Sequence, residues 1–206
     1  MWIIAGLGNP GIEYERTRHN YGFLLIDRLC RDWGVALSRT TPHAAYEVVR
    51  RRGGEVVLIK PLTYMNRSGL AVRELLNHFR ALPDRLIVAH DDLDLEFGTL
   101  KMRRNGGPGS HNGVASVVEE LETRAFGRLR LGIGPRPREW SGVDFVLSPF
   151  EEGEEGRVVE VLDHARLGVE TLLTRGFEVA MNLVNRKSLI QGESDQADGS
   201  KKVIED

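Results

Sequence analysis

Cysteine is almost absent: Cys30 is the only one in 206 residues, so no disulfide can form within the chain. That excludes a small secreted scaffold held by cross-links. Cys30 lies in a helical pattern with Leu24, Ile26, Leu29 and Trp33, so core packing is its expected role. Long apolar runs are also missing. None approaches the roughly 18 residues that a membrane-spanning helix requires, and the chain opens on a strand pattern rather than a signal peptide. The expectation is a cytoplasmic protein with no membrane partner. Neither charge sign is in excess overall, with 28 Lys/Arg against 30 Asp/Glu and a net of −2. The distribution is uneven. Residues 1–150 carry 21 basic and 17 acidic side chains, a net of +4, whereas residues 151–206 carry 7 and 13, a net of −6. Lys101, Arg103 and Arg104 form one basic group and Arg128, Arg130, Arg136 and Arg138 a second. Clusters of this kind suit a polyanion, but either one alone is also an ordinary solvated strand edge.

The length allows one substantial core and internal repeats are lacking. Strand patterns fall at Trp2–Ala5, Tyr46–Arg50, Val56–Ile59, Leu86–Ala89, Thr99–Arg103 and Leu129–Ile133, with a hairpin turn at Arg52-Gly53-Gly54. Helical periodicity covers about 23–33, 69–80, 113–122, 157–175 and 178–185. Strands alternating with helices, plus a hairpin, predict a single three-layer α/β domain with a mixed, mostly parallel sheet flanked by helices. The folded domain is expected over 1–190. Residues 191–206 are rich in Gly, Ser, Asp and Gln and predict a disordered polar tail.

Gly6, Gly8 and Gly11 follow the first strand with the G-x-G-x-x-G spacing of a dinucleotide site. The context does not agree. Pro10 removes an N–H from the loop that would cradle a pyrophosphate, and helical periodicity starts only near Phe23. A ribose-binding acid is lacking, because Asp27 and Asp32 lie inside that helix. The turn instead presents Asn9 and His19 at a strand's carboxyl end, where open α/β sheets bind ligands.

Other polar groups gather at the same kind of position. Lys60-Pro61-Leu62-Thr63-Tyr64-Met65-Asn66 follows the hairpin, His90-Asp91-Asp92-Leu93-Asp94 follows the central strand, and Gly106–Gly113 is a second Gly-rich loop entering a helix. A lone loop histidine is more often structural than catalytic. With an acid to fix its tautomer, however, His19 has the chemistry of a general base, and Asp91 is the best candidate partner. The acidic run could offer oxygens to Mg²⁺, although hydrated turns share that pattern. Ser68 and Ser110 lack the context of an activated nucleophile, so water is the natural attacking group. Asn9, Asn66 and Asn112 each suit a turn or helix cap, as does Ser68. Together, their carboxamides can donate to an oxyanion and satisfy a peptide amide without carrying charge.

Taken in order, these segments resemble bacterial peptidyl-tRNA hydrolase. The resemblance rests on Gly6–Gly11, Tyr14, Thr17-Arg18-His19-Asn20, Lys60-Pro61 with Thr63-Tyr64-Met65-Asn66 and Ser68-Gly69, and Asp91-Asp92-Leu93-Asp94. Gly106-Gly107, His111-Asn112-Gly113, Arg130 with Gly132-Ile133-Gly134 and Pro137, and Met181-Asn182 continue it to about residue 186. It implies a monomeric hydrolase that cleaves the ester joining a peptide to the tRNA acceptor end, with no metal or organic cofactor. His19 would be the base and Asp91 its orienting acid. Asn9, Tyr14, Tyr64, Met65, Asn66, His111 and Asn112 would bind the peptide end of the substrate, and Lys101, Arg103 and Arg130 the tRNA phosphates. Pro108 and Ser110 depart from the family's usual Gly-rich loop, stiffening it and adding bulk. A non-catalytic RNA-binding relative would lack the His or the Asp, and both are present. An NAD-dependent oxidoreductase rests on the three glycines alone.

Overall fold

The computed structural model describes residues 1–186; the tail expected over 191–206 lies outside them. Seven strands form one sheet: β1 (Trp2–Gly6), β2 (Arg39–Thr40), β3 (Ala44–Arg51), β4 (Gly54–Pro61), β5 (Leu86–Glu96), β6 (Leu100–Arg103) and β7 (Gly127–Gly134). Their spatial order is β2-β3-β4-β1-β5-β7-β6. The sheet is mixed. The central pairs β4–β1, β1–β5 and β5–β7 are parallel, and the outer pairs β2–β3, β3–β4 and β6–β7 are antiparallel. The helices are α1 (Tyr21–Trp33), α2 (Ser68–Phe79), α3 (Asn112–Leu121), α4 (Gly142–Leu147), α5 (Glu155–Arg175) and α6 (Phe177–Val184).

Alternation along the strands builds two cores. Ile4, Leu58, Ile87, Leu129 and Leu131 face α1, α5 and α6, with Leu29, Cys30, Trp33, Val161, Leu172 and Ala180 packed against them. Ile3, Ala5, Val57, Ile59 and Val88 face α2 and α3, meeting Val72, Leu75, Val114 and Val117. Three layers result, as the periodicities predict. Cys30 is buried, and burial pushes its thiol up to about 11, so it stays protonated and inert at neutral pH.

β1 lies between β4, reached through the hairpin, and β5, reached by the crossover through α2. The chain runs from β1 to the β3–β4 hairpin through α1 on one face of the sheet and returns from β4 across β1 to β5 through α2 on the other, which opens a crevice at the carboxyl ends of β1, β4 and β5. The glycines after β1 serve this packing. A Cβ on Gly6 would sit 2.2 Å from the Gly22 carbonyl oxygen, and one on Gly22 would sit 2.4 Å from the Ala89 carbonyl oxygen. Only glycines let the start of α1 lie this close to β1 and β5. Gly6 and Gly8 of the dinucleotide spacing thus serve contact with α1, a Cβ on Gly8 meeting Phe23 at 2.5 Å, and Gly11 turns the chain at a φ of +121°.

Candidate active site

The polypeptide leaves β1, turns through Gly11, and forms a 3₁₀ turn over Arg18–Asn20 that runs directly into α1. Helical structure therefore begins before Phe23, and all three residues of the turn are buried. Arg18 anchors it. Its guanidinium donates to Ser148 Oγ at 3.0 Å, to the Pro149 carbonyl and to Glu154 at 2.5 Å, and stacks on Phe145 and Phe150. Asn20 clasps the other side of the crevice: its Oδ1 accepts from Asn9 N at 2.7 Å and its Nδ2 donates to Asn9 O at 3.0 Å. The Asn9 side chain is oriented in turn, because its Oδ1 accepts from Met65 N at 2.8 Å. That leaves the Asn9 Nδ2 donor for a ligand.

Between Arg18 and Asn20, His19 turns Nδ1 toward Asp91 on β5, 3.0 Å from Oδ1 and 3.1 Å from Oδ2. An ionised carboxylate only accepts, so the proton resides on Nδ1 and the lone pair on Nε2. Asp91 also faces His111, whose Nε2 lies 2.9 Å from Oδ1. Burial disfavours the Asp91 charge, yet the His111 and His19 imidazoles outweigh it and hold the carboxyl well below the usual carboxylate range. The result is an imidazole paired with an ionised carboxylate.

His111 is the N-cap of α3, and its Nδ1 accepts from Gly113 N at 3.1 Å and Val114 N at 3.2 Å. Asn112, expected as a cap, is instead the first helical residue and is exposed. Asn66 is exposed on a 3₁₀ turn over Met65–Arg67 and does not cap α2; Ser68 Oγ donates back to the Met65 carbonyl. Gly113 joins the two halves of the crevice. A Cβ there would lie 2.5 Å from Met65 Sδ, 2.9 Å from Leu7 Cδ1 and 3.1 Å from His111 Cε1. The structure thus brings Asn9, His19, Met65, Asp91 and His111 into one connected cluster. Asn66 and Asn112 flank it in sequence, Tyr14 is half-buried on the Ile12–Tyr14 turn, and Tyr64 is exposed.

His19, Asp91 and His111 also make the one group of metal-ligand types among the described residues. The hydrogen bonds argue against a metal there. His111 Nδ1 is committed to two amide donors, so ligation through Nε2 would need an imidazolate. The acidic run does not converge on a cation either, since Asp92 Oδ1 accepts from Asp94 N and Oδ2 from Arg130.

His90 is buried, and its Nδ1 lies 2.7 Å from the Asp91 carbonyl oxygen. Burial pushes its pKa down to about 3. Burial also lowers His164, on α5. An unfolded chain protonates such groups below about 6.5, while the folded chain resists. Their contribution to stability is therefore intact above about pH 6.5 and shrinks as pH falls below it, for His90 down to about 3. Urea midpoints are expected to drop between pH 7 and pH 5, before ordinary carboxylates titrate. Equal midpoints at the two pH values would contradict the burial of neutral imidazoles.

The basic residues occupy the sheet edge beside this cluster. Antiparallel register puts Lys101 opposite Arg130 and Arg103 opposite Arg128, on one face of β6–β7. Like charges directly opposed destabilise a sheet unless an anion intervenes. Asp92 supplies one, 2.5 Å from Arg130 Nε. Arg128 is the exception to the expected solvated cluster. It is buried, and its Nη1 donates to the carbonyls of Arg124 and Phe126. Arg104 points elsewhere, pairing with Glu178 and stacking on Phe177. A cavity of about 500 Å³ runs from Asp91 past the Gly106–His111 loop to Arg103, Arg128 and Arg130.

Comparison with known proteins points to one family. The peptidyl-tRNA hydrolase family profile matches residues 3–192. A peptidyl-tRNA hydrolase of Lachnoclostridium phytofermentans is 43% identical over 190 residues, covering 92% of this chain and 99% of that one. The Bacillus subtilis peptidyl-tRNA hydrolase is 40% identical over 187 residues, covering 91% and 100%. The crystal structure of the Acinetobacter baumannii peptidyl-tRNA hydrolase superposes with a TM-score of 0.84 at 35% identity, covering 90% of this chain and 94% of that one.

Proposed function

This chain belongs to the peptidyl-tRNA hydrolase family, and from that premise we propose that His19, Asp91 and the asparagine-lined crevice carry out its reaction. The protein is a hydrolase that acts on peptidyl-tRNA, releasing the peptide from the tRNA. Catalysis is assigned to the domain expected over 1–190, acting as a monomer in the cytoplasm.

The observation that carries the reading is the His19–Asp91 hydrogen bond beside the oriented carboxamide of Asn9. His19 Nε2 takes a proton from water, whose oxygen attacks the ester carbonyl of the last peptide residue. Asp91 stabilises the imidazolium that forms. The carbonyl oxygen becomes an oxyanion, which accepts from Asn9 Nδ2 with the carboxamides of Asn66 and Asn112 alongside. Collapse breaks the ester, and the imidazolium returns its proton to the ribose oxygen of the departing tRNA. Tyr14, Tyr64 and Met65 line the path of the peptide. Release of N-acetyl-aminoacyl residues from tRNA, followed for wild type and for the His19 and Asp91 variants, tests the assignment.

Lys101, Arg103 and Arg130 grip the tRNA phosphates. Alanine at each is expected mainly to raise KM for whole-tRNA substrates and to flatten the salt dependence of binding by roughly one phosphate contact. A minimal ester substrate that lacks most of the tRNA is the control. Equal defects on that substrate would mean that the cations support the active site instead.

A further inference from the structure

Both ring nitrogens of His111 are already in use. Nδ1 accepts from the backbone amides of Gly113 and Val114, and Nε2 faces Asp91 Oδ1. The two ends make the same demand. Two N–H donors require a lone pair on Nδ1, and a carboxylate that only accepts requires the proton on Nε2. The positive end of the α3 dipole further opposes a second proton on Nδ1. No polar ring atom is left for a substrate.

We propose that His111 is a positioning residue: a neutral imidazole, locked with its proton on Nε2, that holds the Asp91 carboxylate in the orientation His19 requires. This rests on the proposed roles of His19 and Asp91. The carboxylate is held from two sides, since His111 and His19 share Oδ1 and His19 also meets Oδ2. The two imidazoles lie 4.9 Å apart at a tilt of 43°, so neither can rotate freely past the other. The His111 ring is held in turn by the Gly113 and Val114 amides at the start of α3. Through this one side chain, the N-terminus of α3 and the Gly-rich loop before it set the geometry of the catalytic pair. In the resemblance His111 belongs with the peptide-binding residues; its hydrogen bonds give it a different task.

Two measurements test this. Long-range ¹⁵N–¹H correlation spectra of the intact wild-type protein should show His111 with Nε2 protonated and Nδ1 bare. A proton on Nδ1 would overturn the proposal whatever the kinetics. The second uses His111→Asn, because asparagine keeps the α3 cap but is too short to reach Asp91. The expected result is a kcat about 10-fold lower with KM within about twofold, as for a lost hydrogen bond to a charged group. A rise in KM at unchanged kcat would place His111 against the substrate and overturn the proposal. Failure of the parent reading looks different: His19→Ala would itself retain turnover, while the tautomer measurement would stand on its own.

Discussion

Replacing His19 by alanine is expected to lower kcat by at least about 10²-fold, the scale of losing a general base. The fold should survive, because the anchors of this turn are Arg18 and Asn20. Arg18 holds the turn to the Ser148–Glu154 segment, and Asn20 holds the Asn9 backbone. Removing the imidazole leaves Asp91 bonded to His111, so the buried carboxylate keeps a donor. The loss should appear in kcat for whole-tRNA and minimal substrates alike, which separates it from the loss of a tRNA contact. No other group in the cluster can replace the base. His111 Nδ1 is taken by the α3 amides, His90 is buried and held neutral, and the Cys30 thiol is protonated within the core. Unchanged turnover by a folded His19→Ala protein would remove the base from the account.

The second large effect concerns what the enzyme refuses. Aminoacyl-tRNA has the same ester but carries a free, partly protonated amino group in place of a peptide amide. The amide offers a carbonyl acceptor and an N–H donor. Met65 N occupies the Asn9 Oδ1 and turns its Nδ2 outward, so beside the hydrogen that meets the oxyanion its second hydrogen is set to meet the amide carbonyl. Asn66 and Asn112 are exposed at the starts of the segments that enter α2 and α3. With an ammonium in the site, a carboxamide donor goes unpaired, at about 1–3 kcal/mol per unsatisfied group. A preference on the order of 10- to 100-fold for N-acetyl-aminoacyl-tRNA over its deacetylated twin is expected, compared as kcat/KM. Asn66→Ala or Asn112→Ala should narrow the preference as well as slow the reaction. Equal rates on the two substrates would mean that the asparagines do not read the amide.

Much of this architecture is legible in the sequence, and the parts that are not have physical causes. The β3–β4 hairpin and the stripes of α2 and α5 follow from periodicity and turn residues. Strand β5 was harder to delimit. Its pattern ends at Ala89, whereas the strand continues to Glu96, because the continuation is His90-Asp91-Asp92-Leu93-Asp94. Polar residues that serve a site interrupt the alternation that marks a strand. Helix α4 is six residues long, too short to establish a period. The order that puts β1 between β4 and β5 depends on long-range pairing, which local pattern does not encode.

The site divides in the same way. The sequence puts Asn9, His19 and Asp91 at strand ends, and the structure brings them together. Arg18 and Asn20, which hold the turn and Asn9, are part of the same short motif, but their partners are distant in sequence or in the main chain. Histidine is not among the usual caps, so the sequence does not mark His111 as the residue that closes α3; its two amide donors do. Arg128 looks like any other member of a basic cluster until its burial is known.

The most direct test of the central claim is a double-mutant cycle on His19 and Asp91, read as single-turnover hydrolysis of N-acetyl-aminoacyl-tRNA by wild type, His19→Ala, Asp91→Asn and the double variant. If Asp91 acts only by orienting and stabilising the His19 imidazole, Asp91→Asn should be the milder single variant. The double variant should then be only slightly slower than His19→Ala alone, because groups that work as one unit do not lose activity additively. Losses that multiply fully would show that His19 and Asp91 act independently, and would contradict the catalytic pair on which this account rests.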